Sequence, residues 1–157
     1  RRRHTRYISV TGVQTCALPI FINRETDVPS QKICINLPDP NTHWVGVVCL
    51  NEDVQSRYLS FYKHKRTGWY SVPQSIEEAQ KENINSYEDF GTFMMYENQD
   101  WEQKWEETTR IEYKFNQLIL FRPGMFHSYS DVYGDTQENG RLLQFFFLRP
   151  KMVLEQQ

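Results

Sequence analysis

"NQLILFRPGMFHSYSDVYGDTQENGRLLQFFFL", residues 116–148, is where the architecture of this chain is most readable. It breaks into short apolar pieces, "NQLILF", "MFHSYSDVY" and "RLLQFFFL", separated by the turn signals "RPG" and "GDTQENG". Pieces of that length, rich in aromatic and branched residues and bounded by Gly, Pro, Asn and Asp, read as β-strands. "TRIEYKF" just before them reads the same way, with Asn116 as the break. Upstream, "HWVGVVCLN" (43–51) is a nearly continuous valine-rich run, the pattern of a strand buried on both faces, and "RYLSFYKH" (57–64) alternates well enough for another strand. Short strands with polar turns predict an all-β protein, built as an antiparallel sandwich or barrel.

Two short helices are expected on the outside. "SIEEAQKE" (75–82) opens on a serine cap and has glutamates in its first turn. "DWEQKWEE" (100–107) reads as a helical turn or two, with Trp101 and Trp105 on one face. No repeat, low-complexity linker or charge block divides the chain, so it reads as one unit.

The formal net charge is −2, and arginines cluster at the start, so the remainder is more acidic than the total. Nucleic-acid binding through a basic face is disfavoured. Cys34 and Cys49 show neither metal spacing nor a disulfide framework, which sets a reduced, cytoplasmic protein as the expectation.

"VTGVQTCALPI" (10–20) follows the basic "RRRHTR" and imitates a weak secretory signal. Thr11, Gly12, Gln14 and Thr15 interrupt its apolar run, no A-x-A-like cleavage site follows, and it is too short and polar to span a membrane. Residues 10–20 resemble the translated end of a short-read sequencing adaptor, and residues 2–6 resemble the flow-cell primer of the same design. That resemblance implies a non-native leader over residues 1–20 and a single domain over residues 21–157, truncated at its N-terminus.

The chemistry concentrates in the last third. His127 follows a turn, and Arg141 opens an otherwise apolar strand fourteen residues later. An arginine in that setting either faces water or meets an anion. His127 taken alone fits a satisfied structural histidine. His64, among Lys63, Lys65 and Arg66, reads as part of a solvated turn, with contact to an acidic substrate as the alternative. Trp44, Tyr62, Trp69 and Tyr70 suit a core before they suit a cleft.

Taken together, "LILFRPGMFHS", "GRLLQFFFL", "WVGVVCLN" and "FYKHKRTG" resemble segments of the non-haem Fe(II)- and 2-oxoglutarate-dependent dioxygenases of the prolyl-4-hydroxylase type, over roughly residues 28–149. The resemblance implies a double-stranded β-helix, or jelly-roll barrel, with iron held by an H-x-D pair and a distal histidine. His127 stands at the distal histidine, and Arg141 at the basic residue that pairs with the far carboxylate of 2-oxoglutarate. The H-x-D pair falls at Cys34-Ile35-Asn36, so Cys34 and Asn36 with His127 form a degenerate metal set, and Asp39 or His43 are the alternatives. Fe(II) and 2-oxoglutarate are the implied cofactors. A small-molecule or peptide substrate is the implied partner, with neither nucleic acid nor membrane. A non-catalytic binding module that has lost the metal is the competing expectation, and a jelly-roll sugar-binding domain is a third.

Overall fold

The computed structural model describes residues 13–16, 20–23, 33–36, 40–52, 58–129 and 141–150, and of residues 13–16, 20–23, 141 and 150 only the backbone. The described chain is mostly β-strand, in two antiparallel sheets with a few short helices, as the turn-punctuated sequence predicts. The first sheet contains β1 (Val13–Cys16), β2 (Ile20–Asn23), β3 (Trp44–Cys49), β6 (Leu118–Phe121) and β8 (Arg141–Pro150). Its order is β1-β8-β3-β6, with β2 also on β8. The second sheet contains β4 (Tyr58–His64), β5 (Trp105–Glu112) and β7 (His127–Tyr129), in the order β5-β4-β7. After β3 the chain crosses to the second sheet for β4 and β5, returns for β6, crosses for β7 and returns for β8.

Period-two alternation explains what lies between the sheets. Val45, Val47 and Cys49 of β3, Leu59 and Phe61 of β4, Ile119 and Phe121 of β6, and Leu143 and Phe145 of β8 form one buried cluster. The opposite face of β3 is also covered, though by neighbouring side chains on the same sheet. A Cβ placed on Gly46 would meet Leu118 Cδ1 at 3.0 Å, Leu120 Cδ2 at 3.1 Å and Phe146 Cβ at 3.3 Å. Glycine is what lets those side chains close over the strand.

β4 is buried on both faces for a different reason. Its Leu59 and Phe61 point between the sheets, whereas Tyr62 belongs to a second cluster with Trp69, Phe90, Phe93, Met94, Trp105 and Phe126. Helices supply part of that cover. α1 (Ile76–Gln80) starts at Ser75, whose hydroxyl accepts from Glu78 N at 3.1 Å. α2 (Tyr87–Asn98) starts in the same way at Ser86, which accepts from Asp89 N at 3.1 Å, and it buries Phe90, Phe93 and Met94. No helix among the described residues is long and apolar enough to cross a membrane.

Two local expectations need correction. α2 is absent from the sequence reading, because Gly91, Thr92 and the aromatic residues give the segment a weak helical preference. The helix expected over 100–107 is a single turn, α3 (Trp101–Lys104), after which Trp105 turns extended and opens β5. The β-branched "TTRI" and pairing along β4 outweigh the helical character of the glutamates there.

Candidate functional site

The centre begins with a turn. Arg122-Pro123-Gly124-Met125 places proline second and Gly124, at φ +78°, third, the arrangement of a type II turn. Gly124 N–H donates to Asn36 O at 2.9 Å, and next along, Cys34 and His127 exchange backbone hydrogen bonds of 2.8 and 3.0 Å as an isolated antiparallel bridge. The turn and the bridge together put Cys34-Ile35-Asn36 against β7. Cys34 therefore lies beside His127.

His127 and Tyr129 share the inward face of β7, two residues apart. The His127 ring is fully buried, tilted against Phe121 and edge-on to Tyr129, each with ring centres 5.1 Å away. Its Nδ1 lies 2.7 Å from Met125 O. A carbonyl only accepts, so Nδ1 carries the proton and Nε2 presents a bare lone pair. Asn36 Nδ2 lies 3.3 Å from that Nε2 and donates to Tyr129 Oη at 3.2 Å. The side-chain amide thus links ring and phenol. Cys34 turns its thiol to His127 O at 3.3 Å. Burial, opposed only by the Met125 carbonyl, pushes the His127 imidazole down to about 4. It is neutral at pH 7.

This donor set differs from the one the resemblance implies. The described side chains around His127 Nε2 are an amide and a phenol, with a thiol close by, and none of them is a carboxylate. Among the described residues no three His, Cys, Asp or Glu side chains gather to hold a metal ion. They do not fit a two-histidine, one-carboxylate iron site. His43 is exposed, whereas His127 is fully buried. Asp39 and the Arg141 side chain lie outside the described residues; the Arg141 backbone opens β8 opposite Asn23.

A second buried histidine corrects an expectation. His64 is 1% exposed, far from the solvated turn expected of it. Its Nε2 lies 3.2 Å from Glu97 Oε2 and its Nδ1 lies 2.9 Å from Thr67 Oγ1, with the Trp105 ring centre 4.7 Å away. Burial lowers the His64 pKa, and Glu97 only partly offsets it. Burial works to raise the Glu97 carboxyl, but hydrogen bonds from Arg66 and His64 prevail and leave it below its ordinary value. A neutral ring donating Nε2–H to a carboxylate satisfies both directions. Glu97 also meets Lys104 at 3.5 Å and Arg66 at 3.1 Å, and Arg66 reaches on to Glu82, so the network ties α2 to the turn after β4.

Sequence reasoning missed Tyr129 and Glu97. Tyr129 was available from parity, two residues beyond His127 on one strand. Glu97 lies in the unread helix, 33 residues from His64, and no local signal joins them.

What these observations define is a two-sheet antiparallel β protein with a neutral, buried histidine centre between its sheets. The chain belongs to a family of unknown function, DUF6445, whose model matches residues 9–147. No curated protein and no solved structure matches it.

Proposed function

We propose that the chain is an oxygenase-like barrel of the Fe(II)- and 2-oxoglutarate-dependent type with a degenerate metal position, serving as a ligand-binding module. The interleaved strand orders support the double-stranded β-helix part of this reading, as does the bridge that adds Cys34 beside β7. The observation that carries the non-catalytic conclusion is the Asn36 amide on His127 Nε2. That amide nitrogen takes up the lone pair that a metal would need. Among the described residues neither Cys34 nor Cys49 is in a disulfide, which suits a cytoplasmic setting. A small molecule or peptide is the ligand class a cleft in such a barrel would take.

One observation favours the catalytic alternative. A histidine that donates Nδ1–H to a backbone carbonyl has the tautomer that metal-bound imidazoles take through Nε2. In that alternative His127, and the Asn36 carbonyl oxygen if the amide turned, would hold Fe(II), and Arg141 would pair with a carboxylate of 2-oxoglutarate. Anaerobic calorimetric titration of the folded protein with Fe(II) and 2-oxoglutarate separates the two. Absence of binding supports the module. Saturable binding of both, with the iron affinity lost in His127→Ala, would replace it with the oxygenase.

A further inference from the structure

The Arg122-Pro123-Gly124-Met125 turn has a second side. Arg122 leaves it with its guanidinium carbon 4.1 Å from the ring centre of Trp44, and its Nη1 donates to His43 O at 2.9 Å. Stacking and one hydrogen bond thus fix the plane of an exposed cation. A guanidinium has five N–H donors. The hydrogen bond to His43 uses one, and the rest have no partner among the described residues.

Beside it lies a cleft of about 520 Å³, walled by His43, Tyr70, Ser71, Gln74, Arg122 and Met125 among others. Ser71 and Gln74 are already engaged, whereas Thr42 Oγ1 is buried with no hydrogen-bond partner among the described residues. Gln74 Nε2 donates to Ser71 Oγ at 3.1 Å and to Val72 O at 2.6 Å, and Ser71 Oγ donates to Val72 O at 3.2 Å. Among the described residues no carboxylate lines the cleft, and Arg122 is the one permanent charge among its described lining residues. Apolar surface from Met125 and Tyr70 adjoins the cation.

We infer that this cleft binds a carboxylate whose neighbouring group is apolar, with the Arg122 fork, held flat on Trp44, as the recognition element. A planar fork with Nη1 already tied down presents its Nε and Nη2 hydrogens side by side, which matches the two oxygens of a carboxylate. Met125 joins this cleft to the histidine centre, because it lines the one and its carbonyl orients the His127 ring of the other. The inference requires neither iron nor 2-oxoglutarate, so it stands or falls apart from the proposed function.

The test is a titration of the full chain, without added metal, followed through the backbone amide and arginine Nε–H signals by NMR. The probes are N-acetyl-L-leucine and its uncharged amide. The acid should give saturable shifts at Arg122 and its neighbours, and the amide none. Arg122→Gln and Arg122→Lys should each weaken the acid at least tenfold while leaving the remaining spectrum in place, since lysine keeps the charge and loses the fork. A blocked peptide, acetyl-Ala-Glu-Ala-amide, distinguishes the source: binding it as well points to acidic side chains, and binding only the free acid points to a terminal or small-molecule carboxylate. Equal binding of acid and amide, unchanged binding in Arg122→Gln, or no saturable shift with the acid would overturn the assignment.

Discussion

His127 has two hydrogen-bonding nitrogens and no charged partner among the described residues, and that combination makes it a measurable titrating group. Its imidazole pKa falls from an ordinary value near 6.5 to about 4 in the folded chain. Between those values the unfolded chain binds the extra proton, so folding stability is complete above about pH 6.5 and declines as pH falls toward 4. The loss from this group amounts to roughly 3 kcal/mol, because each pKa unit is about 1.4 kcal/mol and the ring is fully buried. Urea midpoints measured across that range should drop more steeply in the wild type than in His127→Gln. Equal slopes would mean that the ring is protonated or solvated in the native state. At this scale the sequence revealed the neighbourhood of the site and little of its chemistry. Cys34-Ile35-Asn36 was expected near His127 from the family resemblance alone, since no local code joins segments about ninety residues apart. That Asn36 would bridge His127 and Tyr129, and that His64 would be buried on Glu97, depends on folding together segments distant in sequence.

Among the elements, α1 and α2 make an instructive pair. Both begin with serine and an acidic residue three positions on that reaches back to the preceding backbone: Glu78 accepts from Gln74 N at 2.8 Å, and Asp89 accepts from Asn85 N at 2.9 Å. The signature in "QSIEE" was legible because good helix formers follow it. In "NSYED" the same signature is followed by residues whose helicity comes from packing Phe90, Phe93 and Met94 onto the second cluster. Ser86→Ala should therefore cost about 1 kcal/mol in chemical unfolding. A change below the experimental error would show that packing alone fixes where α2 starts. In the first sheet, Gly46→Ala should cost about 1–3 kcal/mol through overpacking. Leucine side-chain ends can move aside at 3.0 and 3.1 Å, but Phe146 Cβ at 3.3 Å belongs to a paired strand and yields less. A neutral or stabilising result would mean that Leu118 and Leu120 relax freely into solvent.

For the whole molecule, the all-β class and the strands β3, β4, β6, β7 and β8 were readable from turn signals and alternation. The partners of those strands were not, since pairing between sheets has no local code. The leader-like segment can be judged at this scale. β1 runs along the distal half of β8, from Val13 opposite Pro150 to Cys16 opposite Phe147. A chain beginning at Phe21 is expected to keep its melting temperature within a few degrees, and a larger fall would make residues 1–20 part of the folding unit. The pairing of β3 with β8 has a consequence in time. Val45 lies opposite Phe147, about a hundred residues further along, so β3 leaves the ribosome well before this neighbour. Chains dominated by such distant pairings close slowly, on the order of milliseconds to seconds. Until β6 and β8 follow, "WVGVVC" is an unpaired, uncharged strand, a template for the same segment in another nascent chain. How much folded protein is made thus depends on how quickly β8 follows, and a pause introduced before residue 141 should increase insoluble yield without altering the folded product.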